Sequence, residues 1–146
     1  MPEIQRFCTF TLAGHCLGVE VERVQEVLRV QEITPVPLAA GFVHGLINLR
    51  GQIVTAFDLR ERLALPRRPA GHSPVNVVIR HGEESVSLLV DEIGDVVEAG
   101  PGTFERPPET LEGPARELIR GAHKLDDRLL LVLDTDRTLD GVADGR

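Results

Sequence analysis

The chain has 146 residues, 42% of them hydrophobic and 27% charged, and a formal net charge of −7. That length and balance fit one folded domain with a sizeable core, and they exclude a disordered or collagen-like chain. The longest unbroken apolar run, Leu129 to Leu133, is five residues, whereas a membrane helix takes about twenty and a signal peptide about seven to fifteen. The chain therefore reads as soluble and unexported, with no direct membrane insertion. Two cysteines, Cys8 and Cys16, are too few for a disulfide framework, which points to a cytoplasmic setting. Residues 1–73 hold eight cations and seven anions, residues 74–146 eight and sixteen. An acidic second half repels a phosphate backbone, and without Trp or Tyr there is no base-stacking platform, so nucleic acid is not an expected partner.

Cys8, Phe10 and Leu12 alternate with Thr9 and Thr11, and Ala13-Gly14-His15 turns the chain into Leu17, Val19 and Val21, a hairpin with one buried face. Val21 to Leu28 mixes helical spacing with a Val content that favours a strand, and is expected to be a short helical turn followed by a strand. Pro35 and Pro37 each remove a ladder donor, so residues 31–42 should be a loop. Val43 to Leu49 and Gln52 to Asp58 follow as two strands joined by the tight turn Arg50-Gly51. Leu59 to Leu65 suggests one or two helical turns ending at Pro66, and Arg67 to Ser73 a surface connector. Further strands are expected at Val75 to Arg80, Ser85 to Asp91 and Ile93 to Glu98. Ile119 to Leu125 and Arg128 to Leu133 should form a last hairpin, with a short helix over Thr135 to Leu139. The proline-rich residues 99–114 should be the least ordered internal stretch.

The expected fold is all-β: two packed five-stranded β-barrel subdomains, SH3-like, with short helical segments, making one domain over residues 1–146. The approximate division is 15–73 against 74–146 with the N-terminal strand.

Catalytic and metal constellations are missing. His15, His44, His72, His81 and His123 are scattered, with no His-x-x-x-His and no Cys-x-x-Cys, so no metal and no cofactor is expected. A thiol on the apolar face of a strand, as at Cys8, ordinarily behaves as a small hydrophobe. Asp134-Thr135-Asp136 reads as a helix N-cap rather than a divalent-ion pair. Gly41, Gly45 and Gly51 form no phosphate loop. Glu20, Glu22, Glu26 and Glu32 with Arg23 and Arg29 read first as a solvated mixed-charge face.

One ordered set of segments is more specific. Val24-Gln25-Glu26-Val27-Leu28, Pro35-Val36-Pro37, Val43-His44-Gly45-Leu46-Ile47-Asn48-Leu49-Arg50-Gly51 and Ile53-Val54-Thr55-Ala56-Phe57-Asp58-Leu59-Arg60 closely resemble the CheW family of chemotaxis adaptors. Leu88-Leu89-Val90-Asp91-Glu92-Ile93 and Ile119-Arg120-Gly121 with Leu129 to Asp134 extend the likeness over residues 5–139. The resemblance implies two β-barrel subdomains and a non-catalytic adaptor that couples a methyl-accepting chemoreceptor's cytoplasmic tip to the regulatory domain of a CheA-type histidine kinase. It also implies that Glu26 pairs with Arg50 near the receptor-binding surface, that a hydrophobic groove between the barrels takes the receptor's helical hairpin, and that the first-half barrel packs on the kinase. The chain's length predicts the stand-alone form. The partner-binding residues expected are Glu26, Val27, Ile47, Asn48, Arg50, Gly51, Val90 and Asp91. Val27, Ile47 and Val90 are the apolar candidates for the groove, although buried Val and Ile are commonest in strand interiors. The alternatives are a structural scaffold without receptor contact and a small thiol or histidine enzyme.

Overall fold

Alternating apolar residues and glycine-bearing turns set up the strands. The computed structural model describes residues 4–29, 32–37 and 41–139. β1 (Gln5–Leu12) and β2 (His15–Glu20) form the first hairpin, and a 3-10 turn (Val21–Arg23) leads into β3 (Val24–Leu28). β4 (Val43–Leu49) and β5 (Gln52–Asp58) form the second hairpin. The short helix α1 (Leu59–Arg62) follows, its first turn capped by Asp58, whose carboxylate accepts the Arg60 N–H at 3.0 Å. β6 (Val75–His81), β7 (Glu84–Val90) and β8 (Glu92–Ala99) come next. The chain closes with β9 (Phe104–Glu105), α2 (Gly113–Leu118), β10 (Ile119–Lys124), β11 (Leu129–Leu133) and α3 (Thr135–Leu139). The mainly-β expectation, the helical turn before β3, the last hairpin and the terminal helix all hold. The expected loop over 31–42 lies partly outside the described residues.

Three details differ from expectation. Residues 99–114 contain a 3-10 turn (Pro101–Thr103), the strand β9 and the start of α2, because β9 finds hydrogen-bonding partners on β10 that local sequence does not reveal. Among the described residues the sheets have six and five strands, in the orders β8-β1-β2-β11-β10-β9 and β3-β6-β7-β5-β4, and neither closes into a barrel by strand pairing. At the β4 edge of the five-stranded sheet, Thr34, in the segment between β3 and β4, makes a two-bond bridge with Leu46 of β4, both N···O distances 2.8 Å. Gly45 permits this approach, since a Cβ there would overlap the Thr34 carbonyl and lie 2.6 Å from Ile33 Cγ2.

The sheet boundary also departs from a division at residue 73. β6 and β7 join β3–β5, while β2 joins β1 and the second-half strands. The cause is two parallel pairings, β5 with β7 and β2 with β11, which join strands remote in sequence. β6 and β7 are buried on both faces. Val77, Ile79, Leu88 and Val90 enter the core shared with Phe10, Leu12, Leu17 and Val19 of the six-stranded sheet. Val78 and Leu89 enter a second cluster with Ile47, Leu49, Val54 and Ala56.

On the outer face of the six-stranded sheet, His123 is buried between the rings of Phe7 and Phe104, at centroid distances of 5.5 and 5.1 Å. Its Nδ1 lies 2.8 Å from Thr103 Oγ1. Burial disfavours the imidazolium and holds the His123 pKa below its ordinary value. Below about pH 6.5 the unfolded chain therefore binds a proton that the folded chain resists, and stability falls as pH drops from there toward the depressed folded value. Thermal melts from pH 8 to 5 should show a declining Tm whose slope below about pH 6.5 is reduced in His123→Gln. An unchanged slope in the variant would assign the acid sensitivity elsewhere.

Candidate functional site

The β4–β5 hairpin turns through Arg50 and Gly51, at φ 52° and 87°, with Leu49 paired to Gln52. A two-residue turn with both central residues left-handed matches the twist of the flanking strands, and its usual first residue is Asn or Gly. Arg50 is a costlier occupant, because its Cβ crowds the backbone there. Asn48 supports the turn by accepting the Gly51 N–H at 2.9 Å. The turn aims the Arg50 guanidinium at Glu26 on β3, and the two form a forked pair, Nη1 to Oε2 at 2.6 Å and Nη2 to Oε1 at 2.8 Å. The hydrogen bonds from Arg50 hold the Glu26 carboxyl below its ordinary range and raise the guanidinium further. The pair spans the two outer strands of the five-stranded sheet and leaves the Arg50 side chain 71% exposed.

A groove of about 870 Å³ runs between the two sheets. Val27 and Val75 line it from the five-stranded sheet, and Thr11, Gly14 and Ile93 from the other sheet and its hairpin turn. Val27 is 43% exposed and Ile93 41%, so the groove presents apolar side chains to solvent. Arg60, Arg68 and Asp91 also line it.

The expected site residues separate into three groups. Glu26 and Val27 on one outer strand of the five-stranded sheet, and Asn48, Arg50 and Gly51 at the end of the other, are reachable from outside and are linked by the Glu26–Arg50 pair. Ile47 and Val90 do not line a surface: at 1% and 0% exposure they belong to the two apolar clusters. Both lie on inward-facing positions of their strands, so the groove is left with Val27 of the three apolar candidates. Asp91 is half-buried and saturated. Its Oδ2 accepts from the Ala13 N–H at 2.8 Å and Arg60 Nη2 at 2.5 Å, and its Oδ1 from Arg60 Nε at 3.0 Å and Arg68 Nε at 3.2 Å. Burial opposes its ionisation, yet these donors outweigh that and keep its pKa below the usual aspartate value. A carboxylate with four donors has little capacity left for a partner.

Sequence reasoning missed Ile93, the apolar residue two positions after Asp91, and the Arg60 and Arg68 donors. Ile93 carried a signal in hindsight, since it follows a buried strand and stands among the charged residues Asp91, Glu92 and Asp95. Cys8 and Cys16 are each half-buried, burial raises both thiol pKa values, and neither lines the groove. Among the described residues no three His, Cys, Asp or Glu side chains gather where a metal ion could be held, and no helix is long and apolar enough to cross a membrane.

Comparisons with known proteins bear on the family and the fold. The family model for the CheW-like domain matches residues 6–143. The chain is 30% identical over 135 residues to the chemotaxis protein CheW of Klebsiella aerogenes, covering 92% of this chain and 81% of that one. To CheW of Bacillus subtilis it is 29% identical over 136 residues, covering 93% and 87%. The crystal structure of the scaffolding protein TtCheW from Thermoanaerobacter tengcongensis superposes with a TM-score of 0.82 at 25% identity, over 96% of this chain and 94% of that one. The chain belongs to the CheW-like domain family, and with it to the non-catalytic adaptors of chemotaxis signal transduction.

Proposed function

We propose that the protein works in the cytoplasm, where it joins the cytoplasmic hairpin tip of a methyl-accepting chemoreceptor to the regulatory domain of a CheA-type histidine kinase through two separate surfaces. The receptor tip docks in the groove between the sheets, and the kinase domain packs on the five-stranded sheet. The observation that carries the reading is the pair of solvent-facing apolar residues, Val27 and Ile93, on opposite walls of the groove. A helix binds by burying an i, i+3, i+4 apolar face, and two apolar walls on separate sheets fit that stripe. On the five-stranded sheet, Ile53 is 65% exposed on the strand that leaves the Arg50-Gly51 turn, a second apolar contact away from the groove.

The Glu26–Arg50 pair, next to Val27 on β3, positions the receptor-docking surface more than it holds the fold, because Arg50 is largely in water and such pairs add little to stability. Arg50→Ala should leave the Tm within a few degrees of wild type. Arg50→Gly, which also relieves the left-handed backbone, should leave it at or above wild type. Both should weaken partner binding. A Tm collapse in either variant would make the pair structural, and a double-mutant cycle with Glu26→Ala showing no coupling in binding would count against the pairing itself.

A further inference from the structure

Among the described residues the chain passes between the sheets twice, from β2 to β3 through the 3-10 turn Val21–Arg23 and from β7 to β8 at a single residue. β7 of the five-stranded sheet ends at Val90, β8 of the six-stranded sheet begins at Glu92, and Asp91 lies between them. Its own N–H donates to the Thr11 carbonyl at 3.1 Å, and its carboxylate takes the Ala13 N–H, so both ends of Asp91 are fastened to the β1–β2 hairpin. The same carboxylate takes Arg60 of α1 and Arg68 of the connector. Arg60 in turn donates through Nη1 to the carbonyls of Pro66 and Arg67, at 2.9 and 3.2 Å. One carboxylate thus gathers the hairpin turn, the helix and the connector, and each of these contributes a residue to the groove: Gly14, Arg60 and Arg68.

We infer that Asp91 is a positioning residue for the groove: it fixes the two sheets at the β7–β8 crossing beside the groove, and through them the separation of Val27 from Ile93, without touching the bound helix. The inference rests on the groove being the receptor's docking surface. Val27 and Ile93 belong to different sheets, so nothing in either sheet's own ladder sets the gap between them. The shared core sets it approximately, and Asp91 holds it at the groove's edge. Asn at this position keeps the shape and one acceptor oxygen, but replaces the other with an amide that faces a backbone donor or a guanidinium. Two of the four hydrogen bonds are then lost, and the charge that attracted both arginines is gone.

Two measurements on Asp91→Asn test this, both at a temperature where circular dichroism shows the variant folded. The first reads geometry without any partner: spin labels at His44→Cys and Glu98→Cys, exposed positions on the two sheets outside the groove lining, in a Cys8→Ser, Cys16→Ser background. The distance distribution should broaden or shift in Asp91→Asn. The second reads affinity for a chemoreceptor cytoplasmic hairpin fragment and for the kinase regulatory domain, each purified from the same organism's genes. Receptor-fragment affinity should fall about tenfold, the size expected of a residue acting at a distance, while kinase-domain affinity stays within about twofold. A purely structural role would lower the Tm and leave both the distances and the affinities of the folded protein unchanged, and that result overturns the inference. Equal losses for the two partners overturn it as well. If the distances shift but wild type itself does not bind the receptor fragment, the docking assignment fails while the geometric role stands. Should Asp91→Asn fail to fold, Arg68→Lys, which keeps the charge and gives up the planar fork, should produce the same pattern in smaller measure.

Discussion

Val90→Asp and Ile47→Asp each unfold the protein at room temperature, whereas Val27→Asp leaves its Tm within a few degrees of wild type and abolishes receptor binding. The three substitutions are chemically similar and differ in where the carboxylate goes. At Val90 and Ile47, with 0% and 1% exposure, an aspartate enters an apolar cluster and costs about 5 kcal/mol or more. That is comparable with the about 5–15 kcal/mol by which a domain of this kind is stable. At Val27, 43% exposed on an outer strand, the charge stays in water and only a docking helix would have to strip that water away. Thermal melts by circular dichroism with binding isotherms on the same samples check all three. Unfolding by Val27→Asp would return Val27 to the core, and unimpaired binding would remove it from the docking surface.

Arg60→Met destabilises the protein by about 3 kcal/mol, because a side chain of similar length fills the space but leaves Asp91 half-buried without its main counter-charge. Arg60 is 8% exposed and gives four hydrogen bonds, two to Asp91 and two to carbonyls of the connector. The pH dependence should change with it. Asp91 contributes stability that is present above its unfolded pKa of about 3.9 and is lost as pH falls through the depressed folded value. In Arg60→Met most of that contribution is gone at neutral pH, so the acid limb of the melting curve below about pH 4 should flatten. Denaturant unfolding at pH 7 and pH 3.5 measures both effects. A loss under about 1 kcal/mol at pH 7 would show that Arg68 and the Ala13 N–H suffice to hold the carboxylate.

The hairpins were legible in the sequence because they are local: Ala13-Gly14 and Arg50-Gly51 supply left-handed residues between alternating strands, and the chain turns at both. The sheet boundary was not, because the parallel pairs β5–β7 and β2–β11 depend on packing between distant segments. Buried strands also hide which face they use. Val77-Val78-Ile79 reads as one apolar run, yet Val78 enters a different cluster from its neighbours. For the same reason Val27, Ile47 and Val90 look alike in sequence: Val27 and Ile47 both lie on outer strands and differ in the face they present, Ile47 entering the second apolar cluster and Val27 facing the groove, while Val90 ends an inner strand. The Glu26–Arg50 pairing came from the family resemblance, since the residues alone offered a mixed-charge stretch and a lone arginine at a turn. The donors of Asp91 come from residues 13, 60 and 68, and no local pattern brings those together.

The most direct test of a two-surface adaptor is sedimentation of the purified protein with a chemoreceptor hairpin fragment and the kinase regulatory domain, singly and together. Both partners should bind at once, giving a ternary species whose formation is lost for the receptor fragment alone in Val27→Asp. Failure of the folded wild-type protein to bind either partner, or displacement of one partner by the other, would contradict the account.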